Sequence, residues 1–147
     1  FLMCLSFTAC AQTNKLTSDS VELKSKHDPY FIVSQGGGFT GKYETFMVLK
    51  SGLVNKLGEN QDTVFYKELP WKTADSLFQM MEAIDFHEER SSAVGNMNYS
   101  LTIFKNGKNQ RLSWADNKSP KKEVLDFYQF ALKTIKAPRI LIVHLLC

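Results

Sequence analysis

A chain of 147 residues, 44% hydrophobic and 22% charged, is long enough for one modest globular core and too short for two. Its 18 Lys and Arg against 15 Asp and Glu give a net charge of +3, and the lysines are scattered, the densest group being Lys118, Lys121 and Lys122. This lacks the dense basic stripe of a nucleic-acid binder and reads instead as the solvated start of a helix.

The first ten residues, FLMCLSFTAC, form an uncharged apolar run. It is too short to span a bilayer, which takes about 20 apolar residues. Residues 1–9 read as the remnant of a secretory signal whose charged start is missing. Phe7-Thr8-Ala9-Cys10 resembles the lipobox of bacterial lipoproteins, in which small residues precede a Cys that becomes lipidated; Phe7 stands where an aliphatic residue is usual. An ordinary signal with a small-residue cleavage site, or a buried first strand, are the competing readings. The polar, aromatic-poor stretch 10–28 favours the lipoprotein, as a tether between an anchor and a folded domain. The expected location is therefore the bacterial cell envelope, with Cys10 lipidated and membrane contact only through that anchor. Cys4 would be cleaved away and Cys147 lies in the tail, so residues 28–138 contain no cysteine. A disulfide framework, a thiolate nucleophile and a Cys-based zinc site are thereby excluded from that domain.

Within the expected single domain, 29–138, Pro29 opens a strand-like run at 30–34 and a glycine-rich loop follows. Residues 42–50 alternate, with Tyr43, Thr45, Met47 and Leu49 on one side and Glu44, Phe46, Val48 and Lys50 on the other, which predicts a strand. Turns at Ser51-Gly52 and Gly58–Gln61 bracket a short strand over 53–57, and the β-branched and aromatic run 62–69 predicts a fourth. From Thr73 the period becomes helical. Thr73 is the expected N-cap, Asp75 the first-turn acid, and Ala74, Leu77, Phe78, Met81 and Ile84 the apolar stripe. A polar connection over 87–96 leads to strands at 97–104 and 109–115, joined through Asn106-Gly107, the signature of a type I′ turn. Ser119 and Pro120 are expected to start the last helix, and Val124, Leu125, Phe127, Tyr128, Ala131, Leu132 and Ile135 to form its buried side, with Pro138 as its stop. The order β-β-β-β-α-β-β-α predicts an α+β fold, an antiparallel sheet with two helices packed on one face. The apolar tail 139–147, RILIVHLLC, reads either as a last edge strand or as something other than a natural domain terminus.

The usual catalytic constellations are missing. His87-Glu88 lacks the second histidine of H-E-x-x-H, because position 91 is Ser, and His27 and His144 lie in the tether and the tail. Asp85, Glu88 and Glu89 cluster after the first helix, but Arg90, Ser91 and Ser92 beside them offer no apolar setting that would shift a carboxyl for acid–base work. No catalytic residue, metal or cofactor is expected.

One stretch stands out. Ser34–Tyr43, SQGGGFTGKY, contains G-x-G-x-x-G as Gly36, Gly38 and Gly41. A phosphate-cradling loop must open a helix, whose N-terminal amides hold the anion. Here a run of period two follows, and no Gly-Lys-Ser/Thr is present, so nucleotide binding is rejected. A hairpin loop uses one or two glycines, and each extra one costs about 0.5–1 kcal/mol relative to Ala. Four glycines within six residues suggest a close backbone approach to another surface, with Phe39 as its large anchor.

At this loop the sequence resembles the emfourin-like domains, small inhibitors of protealysin and related thermolysin-type zinc metallopeptidases. The resemblance runs through FIVSQ, Gly37-Gly38-Phe39-Thr40-Gly41, KYETFMVLK, ADSLFQMMEAIDF, YSLTIFKNGKNQRLSW and PKKEVLDFYQFAL, about residues 30–135. It implies a non-enzymatic protein that occludes a peptidase cleft, with Gly37, Gly38, Phe39, Thr40 and Gly41 as the contact residues and Asn96, Met97 and Asn98 beside them. The chain departs from the family in its export signal and in an extra strand pair at 53–67, which opens the alternative of an envelope lipoprotein that binds another envelope protein or a glycan without inhibiting anything. A hydrolase is the third class, and it would require a pocket with converging acids or histidines.

Overall fold

Strand alternation and helical stripes resolve into eight elements in the computed structural model, which describes residues 28–60, 62–85 and 95–138. They are β1 (Tyr30–Gly37), β2 (Lys42–Leu49), β3 (Leu53–Leu57), β4 (Thr63–Glu68), α1 (Trp71–Ala83), β5 (Met97–Lys105), β6 (Lys108–Ala115) and α2 (Lys122–Lys136). The strands form one antiparallel sheet in the order β4-β3-β2-β1-β5-β6. The fold is α+β, with the element order that the periodicities predict. The expected signal remnant over 1–9, Cys10, the connection 86–94 and the tail from 139 lie outside the described residues.

Period-two alternation sends Phe31 and Val33, Phe46 and Val48, Leu101 and Ile103, and Leu112 and Trp114 to one face of the sheet, where all are buried. Both helices pack there, through Ala74, Leu77, Phe78 and Met81 of α1 and Val124, Phe127, Tyr128, Ala131 and Ile135 of α2. Phe31 joins the layers: its ring lies 5.4 Å from that of Phe78 and 5.2 Å, edge-on, from that of Phe127. Truncating so central a Phe typically costs about 3–5 kcal/mol. The opposite face carries half-buried Tyr30, Ile32, Met47, Leu49 and Phe104, with Tyr30 and Phe104 stacked at 4.9 Å. No described helix covers it.

Both helix starts differ from expectation. The first helix begins at Trp71, with Pro70 as N-cap and no side-chain cap, so Thr73 lies inside the first turn and that turn holds no acid. The Pro70 carbonyl accepts from Thr73 N and Ala74 N, while Leu69 N is held by Gly52 O at 2.8 Å. The fixed φ of Pro70, anchored on the β2–β3 turn, starts the helix without a hydroxyl. The last helix begins at Lys122, with Lys121 as N-cap, because a bridge between Ala115 and Lys118 holds Ser119 and Pro120 in the connection. Its C-terminus follows the sequence: Ala137 is the C-cap and Pro138 comes next. Sequence gives no hint of how this end is satisfied. Lys67 of β4, itself buried, donates from Nζ to Thr134 O at 2.9 Å and to Ala137 O at 3.0 Å. A cation at the negative end of the helix dipole meets carbonyls that have no partner within the helix.

Candidate functional site

The glycine-rich loop is tighter than its sequence suggests. Gly36 and Gly37 belong to β1, paired on one side with Tyr43 and Lys42 and on the other with Asn98 and Met97. Only residues 38–41 lie outside the strands, closed by a bond from Gly41 N to Gly38 O of 3.3 Å. Phe39 and Thr40 take the central positions without positive φ, and Gly38 (φ 65) and Gly41 (φ 61) supply it on either side. This is a four-residue hairpin loop on a rigid central strand.

The two strand glycines answer to neighbours within the chain. A Cβ on Gly37, whose φ is 108, would stand 2.7 Å from Asn96 O. On Gly36 it would meet the Tyr43 ring at 2.5 Å and the Tyr43 Cα at 2.6 Å. The close approach expected from the glycine count is thus an approach of β1 to β2 and to the start of β5. It makes no demand for an outside partner. What the loop does present outward is Phe39, whose relative exposure of 108% means that its ring touches nothing.

Around Phe39 the fold gathers further groups. The Asn96 carbonyl accepts from Gly38 N, so the start of β5 is clamped to the loop. Met97 lies beside it, its Sδ 3.5 Å from where a Gly38 Cβ would be. The expectation that Asn96, Met97 and Asn98 sit next to the loop holds. Tyr43 lies over Gly36, half exposed, with its hydroxyl 3.5 Å from Asn98 Nδ2. Periodicity gives Tyr43 no special place; the signal is its register opposite a glycine, where an aromatic neighbour fills the missing side chain. The described surface of the loop end is thus Phe39, Thr40, Lys42, Tyr43, Met97 and Asn98, apolar and polar side chains with one exposed cation.

An ion-pair cluster lies one step back. Glu44 accepts from Gln35 Nε2 at 3.3 Å and from Lys56 Nζ at 3.4 Å, and pairs with Lys136 of α2. The Lys136 ammonium, bonded to Glu44, holds its carboxyl below the ordinary carboxylate value. These contacts tie β2 to α2 behind the loop. Further in, the Tyr128 hydroxyl donates to Ser34 O at 2.9 Å, and burial pushes its phenol well above the ordinary range. Tyr128 is therefore a neutral donor at any physiological pH.

Among the described residues no group of three or more His, Cys, Asp or Glu side chains could hold a metal, and no helix is long and apolar enough to cross a membrane. Of the acid cluster, Asp85 alone is described, exposed after α1; Glu88, Glu89 and His87 lie outside the described residues, as do His27, His144 and all three cysteines. No protein-family model matches the sequence, and no curated protein matches it significantly.

Proposed function

We propose that this domain is a non-enzymatic protein-binding module whose contact surface is the end of the β1–β2 hairpin, Gly37, Gly38, Phe39, Thr40 and Gly41, with Tyr43 and Met97 beside it. The observation that carries the reading is a phenylalanine held wholly in solvent at the tip of a four-residue loop on the central strand of the sheet. An isolated exposed aromatic contributes nothing to folding, whereas burying one against a partner contributes about 1.5–3 kcal/mol. The loop needs little ordering on binding, because β1 is paired along its length on both sides.

The specific activity is inhibition of a thermolysin-type zinc metallopeptidase by occlusion of its cleft, as the resemblance of the GGFTG loop implies. The mechanism involves no bond-making: the loop fills the cleft and substrate is excluded. The chain would act at the cell envelope, tethered through Cys10. The test is a titration of the chain against thermolysin-type peptidases cleaving an internally quenched peptide. Saturable inhibition by the wild type, weakened in Phe39→Ala, supports the reading; a chain that inhibits none of them removes the peptidase and leaves the envelope-protein or glycan partner.

A further inference from the structure

Beside the loop, on the helix-covered side of the sheet, lies a cleft of about 330 Å³ between α2 and the ends of β1, β5 and β6. Its position follows from register: Gln35 pairs with Tyr99, and Tyr99 with Trp114, two positions inward from the loop end. One wall is aromatic. The Tyr99 and Trp114 rings stack at 5.9 Å, and the Tyr128 ring stands edge-on to Trp114 at 4.9 Å. Leu125 and Leu132 of α2, expected on the helix's buried side, are only half buried because they face this space.

Ser119 and Gln129 on the cleft's lining can donate as well as accept, and its other polar groups are chiefly acceptors, one of them charged. Gln35 uses its Nε2 on Glu44, which leaves its carbonyl oxygen as the free end of the amide. Tyr128 spends its proton on Ser34 O and keeps an acceptor lone pair. Asp116 adds a carboxylate, whose Oδ2 takes one long bond of 3.4 Å from Met97 N. A carboxylate has about four acceptor sites, so most of its capacity is open. Among the described residues no Lys, Arg or His lines the cleft. Lys118 and Lys121 are exposed on the flanking turn, and Lys122 is paired with Asp126 at 2.7 Å.

We infer that this cleft receives an arginine side chain of the protein partner, its aliphatic stem against Tyr99, Trp114 and Leu132 and its guanidinium on Asp116. A planar guanidinium offers five donors and no acceptor, stacks on aromatic faces and pairs with a carboxylate through two parallel bonds. An anionic side chain would meet the Asp116 carboxylate with no described cation on the lining to offset it. A plain aliphatic one would fill the walls and leave the carboxylate and the Gln35 carbonyl without donors.

The cleft opens at the loop end, so the inference rests on the protein-contact reading given above, and its test uses no peptidase. The chain has two tryptophans, and Trp71 is 70% exposed, so Trp71→Phe leaves Trp114 as the reporter. N-acetyl-arginine amide titrated into the full-length Trp71→Phe chain should shift Trp114 emission saturably, at least about tenfold more tightly than N-acetyl-norleucine amide. Asp116→Asn should abolish the difference between the two probes with an unchanged melting temperature. If Asp116→Asn does not fold, Ser119→Phe, placed at the exposed rim with Asp116 intact, should block both probes. Equal binding of the two amides, full arginine-amide binding in Asp116→Asn, or no saturable change overturns the inference. A chain that takes the arginine amide and inhibits no peptidase keeps the cleft and removes the peptidase.

Discussion

Replacing Phe39 by Ala separates a contact residue from a structural one. The ring is fully exposed and occupies a loop position without positive φ, so Ala fits the same backbone. Folding therefore loses nothing. The melting temperature should stay within about 2 °C of wild type, since 1 kcal/mol moves a domain of this size by about 4–8 °C. Binding should lose the transfer free energy of the ring. At about 1.5–3 kcal/mol for a buried Phe, and 1.4 kcal/mol per factor of ten, the inhibition constant should rise about 10- to 150-fold. The assay is inhibition of a thermolysin-type peptidase on a quenched peptide, at several inhibitor concentrations, beside a thermal melt of each variant. An inhibition constant within about twofold of wild type takes Phe39 out of the interface. A melting temperature lowered by several degrees refutes the premise instead, because it means that the ring packs on the domain.

Other substitutions probe the frame behind the loop. Gly37→Ala meets both a positive φ and the Asn96 carbonyl, and should cost about 1–3 kcal/mol in urea unfolding, more than Gly41→Ala, where nothing lies within 4 Å. Lys67→Met removes the cation that caps α2 and should lower stability by about 1.5–3 kcal/mol, with faster amide exchange over residues 134–137. Glu44 is held below its ordinary value of 4.5 by Lys136, so its contribution to stability is complete above that value and is lost as pH falls through the lower folded-state value. Lys136→Met should be less stable than wild type at neutral pH, and the gap in urea midpoints should close as pH falls below the ordinary value of 4.5 and the carboxyl takes up its proton. A gap that is constant with pH would mean that Lys136 acts through packing of its stem.

Much of this molecule is legible from local pattern. Alternation over 42–50 and 97–104 fixed the strands and which residues face the core, because side chains in a strand must point to opposite sides. Asn106-Gly107 turned the last hairpin, with φ of 53 and 71 at its two residues, as few other pairs can. The stripe from Ala74 to Met81 gave the first helix its buried side. Helix starts were less legible, since Pro70 and Lys121 cap through backbone geometry that tertiary neighbours impose and leave no side-chain signature.

The glycines mark the boundary between the two kinds of information. Sequence determines that the stretch 36–41 draws on the backbone freedom of glycine and that the segment joins two strands, since both follow from steric limits within a few residues. It does not determine what the glycines approach. That became clear only once β1 was seen between β2 and β5, where Tyr43 and Asn96 take the space a Cβ would need. The same pairing sets Phe39 in solvent, brings Met97 to its side and opens the Asp116 cleft around the corner. These groups lie about 60 to 80 residues apart in the chain, and only the non-local register of β1 with β5 brings them to one end of the molecule.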